Sequence, residues 1–239
     1  MNLNDLFRDL ALNELSNLSM VDKSQPDTIV SSRRAKIVSL ANEGLLSLYS
    51  KFVLLEKDVL VEMREAKTNY HLLKRYAWSN YDRDNPPDRF DAPYIMDTVM
   101  EPFTEDVIKV LSVHNTFGQK MPLNDTENPM SVFSPQANTL QVPFPIAGQA
   151  LSIEYQAKHP RLDECECDDP IELPDVLWPA LKAYIAGKVY MHMNTQENTA
   201  KGQEHMMLFD VICNDVVEKD LVSTSVSNTN VKLQKRGFI

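Results

Sequence analysis

The sequence predicts an α+β protein: an antiparallel helical bundle with a small inserted β domain, followed by an extended C-terminal arm. Three observations predict it. Apolar residues recur at three- and four-residue intervals near both ends of the chain, the period of one helix face. In the middle, Leu151, Ile153, Tyr155 and Ala157 alternate with Ser152, Glu154, Gln156 and Lys158, the period of a half-buried strand. Most of the 14 prolines fall between residues 86 and 145, as expected where short strands are joined by turns.

Residues 1–56 read as the N-terminal helices of the bundle. Leucines at 3, 6, 10, 12, 15 and 18 predict a short amphipathic helix over residues 2–18. Residues 19–32 are polar, contain Gln25-Pro26-Asp27, and read as a linker or cap. From Thr28 to about Tyr49 the helical period resumes, with Ile37, Leu40, Ala41, Gly44, Leu45 and Leu48 on one face and Arg33, Arg34 and Lys36 near its start.

Residues 57–160 read as the inserted β-rich domain. Asp58–Met63 predicts a strand, residues 65–68 a turn and Asn69–Leu73 a second strand. Residues 76–95 form a long loop of aromatics, charges and prolines. Such loops in compact domains usually serve function or a partner, which singles out Trp78, Tyr81, Arg83, Arg89 and Phe90. Val107–Val113 predicts a buried strand, Phe117-Gly118 a turn, and Thr139–Val142 a short strand stopped by Pro143 and Pro145.

Residues 170–221 read as a helical hairpin that completes the bundle. Leu181, Tyr184, Ile185, Lys188, Val189, His192 and Met193 make one stripe, residues 194–198 a polar connector, and Met206, Phe209, Ile212, Cys213, Val216 and Val217 resume the period. So short a link predicts antiparallel packing. Gly187 suggests close approach by a neighbour, and Trp178 and Tyr184 suit core packing better than an interface. The first helices need this hairpin to bury their leucines. Residues 222–239 carry three basic residues and no acid, with apolar groups interspersed. Val231, Lys232, Leu233, Lys235, Arg236, Phe238 and Ile239 therefore mark an arm that orders on a partner.

At 239 residues, with 43% hydrophobic and 24% charged, the chain can bury a substantial core. A net charge of −10 repels phosphate backbones and argues against sequence-independent DNA binding. Cys165, Cys167 and Cys213 cannot form a disulfide framework, which suggests a reducing compartment. The N-terminus has no basic leader, and no run reaches the ~20 apolar residues of a membrane helix, so no membrane partner is expected.

Chemistry has little support. Cys165-Glu166-Cys167 with His159 is the weak candidate for a metal, but the one-residue gap and missing fourth ligand fall short of a zinc site. The acidic loop 161–169 lacks a calcium-loop pattern. None of His71, His114, His159, His192 and His205 sits in a catalytic motif, and His192 reads as a packing residue. No catalytic residue, metal or cofactor is assigned. Two other classes stay open: a small virion-associated or cytosolic metal-dependent hydrolase using His159 and the acidic loop, and a receptor- or glycan-binding virion protein using Trp78, Tyr81 and Phe90.

Leu173-Pro174-Asp175, Leu177-Trp178-Pro179-Ala180-Leu181-Lys182-Ala183-Tyr184, Lys188-Val189-Tyr190 and Met193-Asn194 resemble the C-terminal helical hairpin of bacteriophage head-to-tail adaptor (connector or neck) proteins. Leu45–Ser50, Val59–Met63, Thr68–Leu72, Val110–Val113, Pro122–Asp125 and Leu151–Tyr155 follow in matching order, so the resemblance covers most of residues 28–221. It implies a non-enzymatic virion protein, made in the host cytoplasm and multiplied into a ring of twelve copies in the neck. The arm would dock onto the portal protein, and the β-bearing face, with the loop from Trp78 to Phe90, would meet a tail or nozzle protein. Double-stranded DNA would pass through without specific binding.

Overall fold

The computed structural model describes residues 1–81, 92–164, 168, 170–193 and 195–222. Among these residues the chain is α+β, with four helices and seven strands in two antiparallel sheets. It divides into two units: residues 1–30 with those from 173 onward, and residues 31–172.

In the first unit, α1 (Leu3–Leu12) begins at a reciprocal cap. Asn2 Oδ1 accepts from the Asp5 N–H at 2.9 Å, and the Asn2 N–H donates back to the Asp5 carboxylate at 3.2 Å. The helix is shorter than its leucines suggest, because the Asn13 side chain donates to the Asp9 carbonyl at 3.0 Å and closes the end. Leu15 is nevertheless buried, from the turn that follows. Residues 20–30, expected within a linker, close on themselves through Val30 N–H to Met20 (2.9 Å) and Asp22 N–H to Thr28 (3.0 Å), burying Val21 and Ile29.

Helix α3 (Trp178–Met191) has a proline in its first turn, where no N–H is required. It does not carry the single stripe expected of it. Ala180, Leu181, Ala183, Tyr184, Ile185, Ala186, Gly187, Val189 and Tyr190 bury almost its whole circumference, while His192 lies exposed beyond the last turn. Helix α4 (Gln196–Glu218) starts inside the expected connector, where Thr195 Oγ1 accepts from the Asn198 N–H at 3.3 Å. The two helices pair in opposite order: Tyr184 with Phe209 (ring centroids 5.3 Å), Gly187 with Met206, Tyr190 with His205 (5.6 Å), and Met191 with Gly202. At the crossing, a Cβ on Gly187 would stand 3.1 Å from the Gly202 carbonyl oxygen, and one on Gly202 2.9 Å from that of Gly187. The glycine therefore marks a close approach, as its place in the sequence suggests. Helix α1 joins α3 through Lys182 to Asp9 (3.3 Å) and Tyr190 O–H to the Glu14 carbonyl (3.1 Å).

The second unit holds α2 (Ser31–Lys51) and all seven strands. The four-stranded sheet runs β3 (Ile95–Met96), β1 (Glu56–Glu62), β7 (Ala150–Ala157), β4 (Val107–His114); the three-stranded sheet runs β2 (Asn69–His71), β6 (Thr139–Gln141), β5 (Phe133–Gln136). Strands β1 and β2 thus enter different sheets across a turn in which Ala66 takes a left-handed φ of 62°. One core serves both sheets, with Val61, Ile153 and Val113 from the larger and Tyr70 and Leu140 from the smaller.

Helix α2 groups with the strands, although residues 1–56 read together as part of the bundle. Polar fasteners explain this. The buried Gln156 side chain on β7 donates to the carbonyls of Tyr49 and Phe52 (3.0 Å to the latter), groups that the helix end leaves unbonded. Asn42 exchanges two hydrogen bonds with the Leu162 backbone, at 2.8 and 3.1 Å, and the Tyr49 hydroxyl donates to the Glu172 carbonyl.

Candidate partner-binding surfaces

Of the long-loop candidates, Arg83, Arg89 and Phe90 lie outside the described residues. Trp78 and Tyr81 come together with ring centroids 5.6 Å apart, and Trp78 is 45% exposed. Their turn is anchored by Asp97, which accepts from the Ser79 N–H (2.8 Å), the Ser79 hydroxyl and the Phe103 N–H (2.8 Å). Burial works to raise the Asp97 pKa, but these hydrogen bonds outweigh it and hold the carboxyl below its usual range. Beneath, Tyr94 stacks on Tyr76 (4.7 Å) and meets Tyr70 edge-on (5.3 Å). Lys67 lies 4.2 Å from the Tyr94 ring centre and Arg75 4.6 Å from that of Tyr76. The Tyr94 hydroxyl is locked by donating to and accepting from the His71 backbone, both at 2.8 Å, and burial pushes its pKa well up.

Cys165 and Cys167 also lie outside the described residues. His159 is engaged: its Nε2 accepts from the Glu172 N–H at 3.1 Å, its Nδ1 bonds the Pro160 carbonyl, and its ring meets Tyr49 edge-on at 5.4 Å. That pattern fixes a neutral ring, and burial lowers its pKa despite the Pro160 and Glu172 contributions. A metal would have to take the lone pair now used by a backbone N–H. Among the described residues no group of three or more His, Cys, Asp or Glu is arranged to hold an ion.

Other surfaces escape sequence reading. Phe117 (81% exposed) sits in the turn after β4, and Phe144, Ile146 and Met130 are exposed in nearby turns. Thr116 Oγ donates to the Ala150 carbonyl (3.1 Å), while Met130 and Phe144 line one shallow crevice, so these groups gather at one end of the β unit. The turn Thr98–Glu101 exposes Val99 and Met100 (95%). The available signal was an aromatic or aliphatic residue inside a proline- or glycine-marked turn, where nothing in the fold requires it. In the first unit, α4 buries only Gly202, Phe209, Cys213 and Val216 and turns Met207 (68% exposed), Leu208 and Val211 outward. The arm residues Val231, Lys232, Leu233, Lys235, Arg236, Phe238 and Ile239 lie outside the described residues.

Together these surfaces expose apolar and aromatic groups that a partner can cover. No protein-family model matches the chain, and no curated protein matches it. Among the described residues no helix is long and apolar enough to cross a membrane.

Proposed function

We propose that this chain is a structural virion protein, a head-to-tail adaptor whose copies form a ring of twelve between the portal and the tail or nozzle. The observation that carries the proposal is the α3–α4 hairpin. Its segment resembling the adaptor family, which starts at Leu173, leads into α3 (Trp178–Met191), a helix buried nearly all round and clasped by α4 at Gly187 and Gly202. Helices α1, α3 and α4 act as the bundle, residues 31–172 as its insertion, and residues 222–239 as the arm that docks onto the portal.

Three further observations support this. The apolar turn tips Phe117, Phe144 and Ile146 at one end of the β unit offer a site for a tail or nozzle protein, beside or in place of the Trp78–Tyr81 corner. A net charge of −10 suits a channel lining past which DNA slides. The engagement of both His159 nitrogens weighs against a hydrolase built on that residue.

The arm's part is tested by truncation. A chain ending at Leu221 keeps α4 and its cap, so its fold should be intact by circular dichroism, yet it should fail to co-sediment with the portal from the same genome. Undiminished co-sedimentation of the truncated chain contradicts the docking role.

A further inference from the structure

The outward stripe of α4 reads Glu204, Met207/Leu208, Val211, Asp215, Glu218: apolar in the middle, acidic at both ends, and exposed throughout. A helix in a finished core has no use for such a stripe, and three large apolar groups on one exposed face call for a cover. Of the acids, Asp215 pairs with Lys219 at 2.7 Å, while Glu218 makes no ion pair among the described residues.

The chain itself carries the complement. Residues 231–239 (Val-Lys-Leu-Gln-Lys-Arg-Gly-Phe-Ile) contain three cations, four large apolar residues and no acidic side chain. Twelve residues, 219–230, separate them from the end of α4, and the helix ends in a reversing cap. Asp220 takes a left-handed φ of 52°, Leu221 N–H donates to the Val216 carbonyl and Asp220 N–H to that of Val217, each at 3.1 Å. The uncharged spacer 223–230 can span at most about 29 Å. The run from Glu218 back to Glu204 is only about 21 Å along the helix.

We propose that residues 231–239 seat on the outward face of α4 of their own chain. Val231, Leu233, Phe238 and Ile239 cover Met207, Leu208 and Val211, and Lys232, Lys235 and Arg236 meet Glu204, Asp215 and Glu218. Tethering by so short a spacer gives the arm a millimolar effective concentration at this face, so weak contacts suffice. The inference goes beyond the adaptor reading and does not depend on it: the seat exists whether or not a portal is the arm's later partner.

Carbodiimide cross-linking of the full chain tests it, with equal parts of ordinary and nitrogen-15-labelled protein and no portal present. We expect links from Lys232 or Lys235 to Glu204, Asp215 or Glu218, found only within light or within heavy chains. The doubly substituted Met207→Ser/Val211→Ser chain alters exposed positions alone and should cut their yield about tenfold. Light-to-heavy links would overturn the proposal by making a second copy the occupant. Absent links, or links indifferent to the serine substitutions, would overturn it as well. Because portal is absent, failure here leaves the adaptor reading standing, and failure to bind portal leaves this seat standing.

Discussion

The two units are held by different physics. In the first, shape does most of the work: α3 is buried almost all round, and α4 approaches so closely that neither Gly187 nor Gly202 leaves room for a methyl group. In the second, polar side chains fasten elements that the strands alone would not hold. Gln156 caps α2, Asn42 clamps Leu162, Asp97 anchors Ser79 and Phe103, and Asp106 receives Lys57 (2.7 Å) and Tyr155 (3.0 Å). The helical unit should therefore respond to volume and the β unit to protonation and to lost hydrogen bonds.

The largest effect is expected at Trp178, which is buried at the start of α3. Trp178→Ala should cost about 3–5 kcal/mol. Trp178→Phe should cost less than about 1.5 kcal/mol, because the indole N–H has no acceptor to lose. Equal losses in urea unfolding would break the claim that shape alone matters there. Gly202→Val comes next, at about 2–3 kcal/mol, since its side chain would drive into Met191 and the Gly187 carbonyl. In the β unit, Gln156→Leu keeps the volume but strands two carbonyls of α2, and should cost about 2 kcal/mol. A neutral result would show that the polar fastening is dispensable.

Acid sharpens the comparison further. His159 has a lowered folded pKa, so its contribution is complete above its unfolded value of about 6.5 and fades as pH falls below it. Burial opposes ionisation of Asp106 and Asp97, but Lys57 and Tyr155 for the first and the Ser79 and Phe103 donors for the second lower both pKa values. Their contribution is present above about pH 4 and is lost below it. Hydrogen exchange followed from pH 7 downward, on a common intrinsic-rate scale, should show residues 31–172 losing protection before α3 does. The smallest effect is expected at Ala66, where glycine relieves a left-handed φ and Ala66→Gly should stabilise by at most about 1 kcal/mol.

What was legible in the sequence follows from this contrast. Strand β7 was plain because one face is buried and its residues alternate, and Gly187 stood out because a glycine interrupts a well-packed helix. Helix α3 was misread as one-sided because Ala180, Ala183 and Ala186 count weakly as apolar although all are buried. The start of α4 was hidden because Gln196–Lys201 contains no large apolar residue to set a period. Strand β3 has only two residues, and β5 contains Pro135, which a strand tolerates at the sheet edge it occupies. The polar fasteners depend on partners as far apart as Asn42 and Leu162, which no local pattern joins. For the candidate surfaces, the Trp78–Tyr81 pair was legible as a cluster, whereas Phe144 and Met130 become neighbours only through the fold.

The adaptor proposal is tested most directly by mixing the purified full chain with the portal from the same genome and imaging the mixture by negative-stain electron microscopy. The account predicts an added twelve-copy ring on one end of the portal and none on the other. Bare portals beside free single chains, at concentrations well above those of the portal, would contradict it.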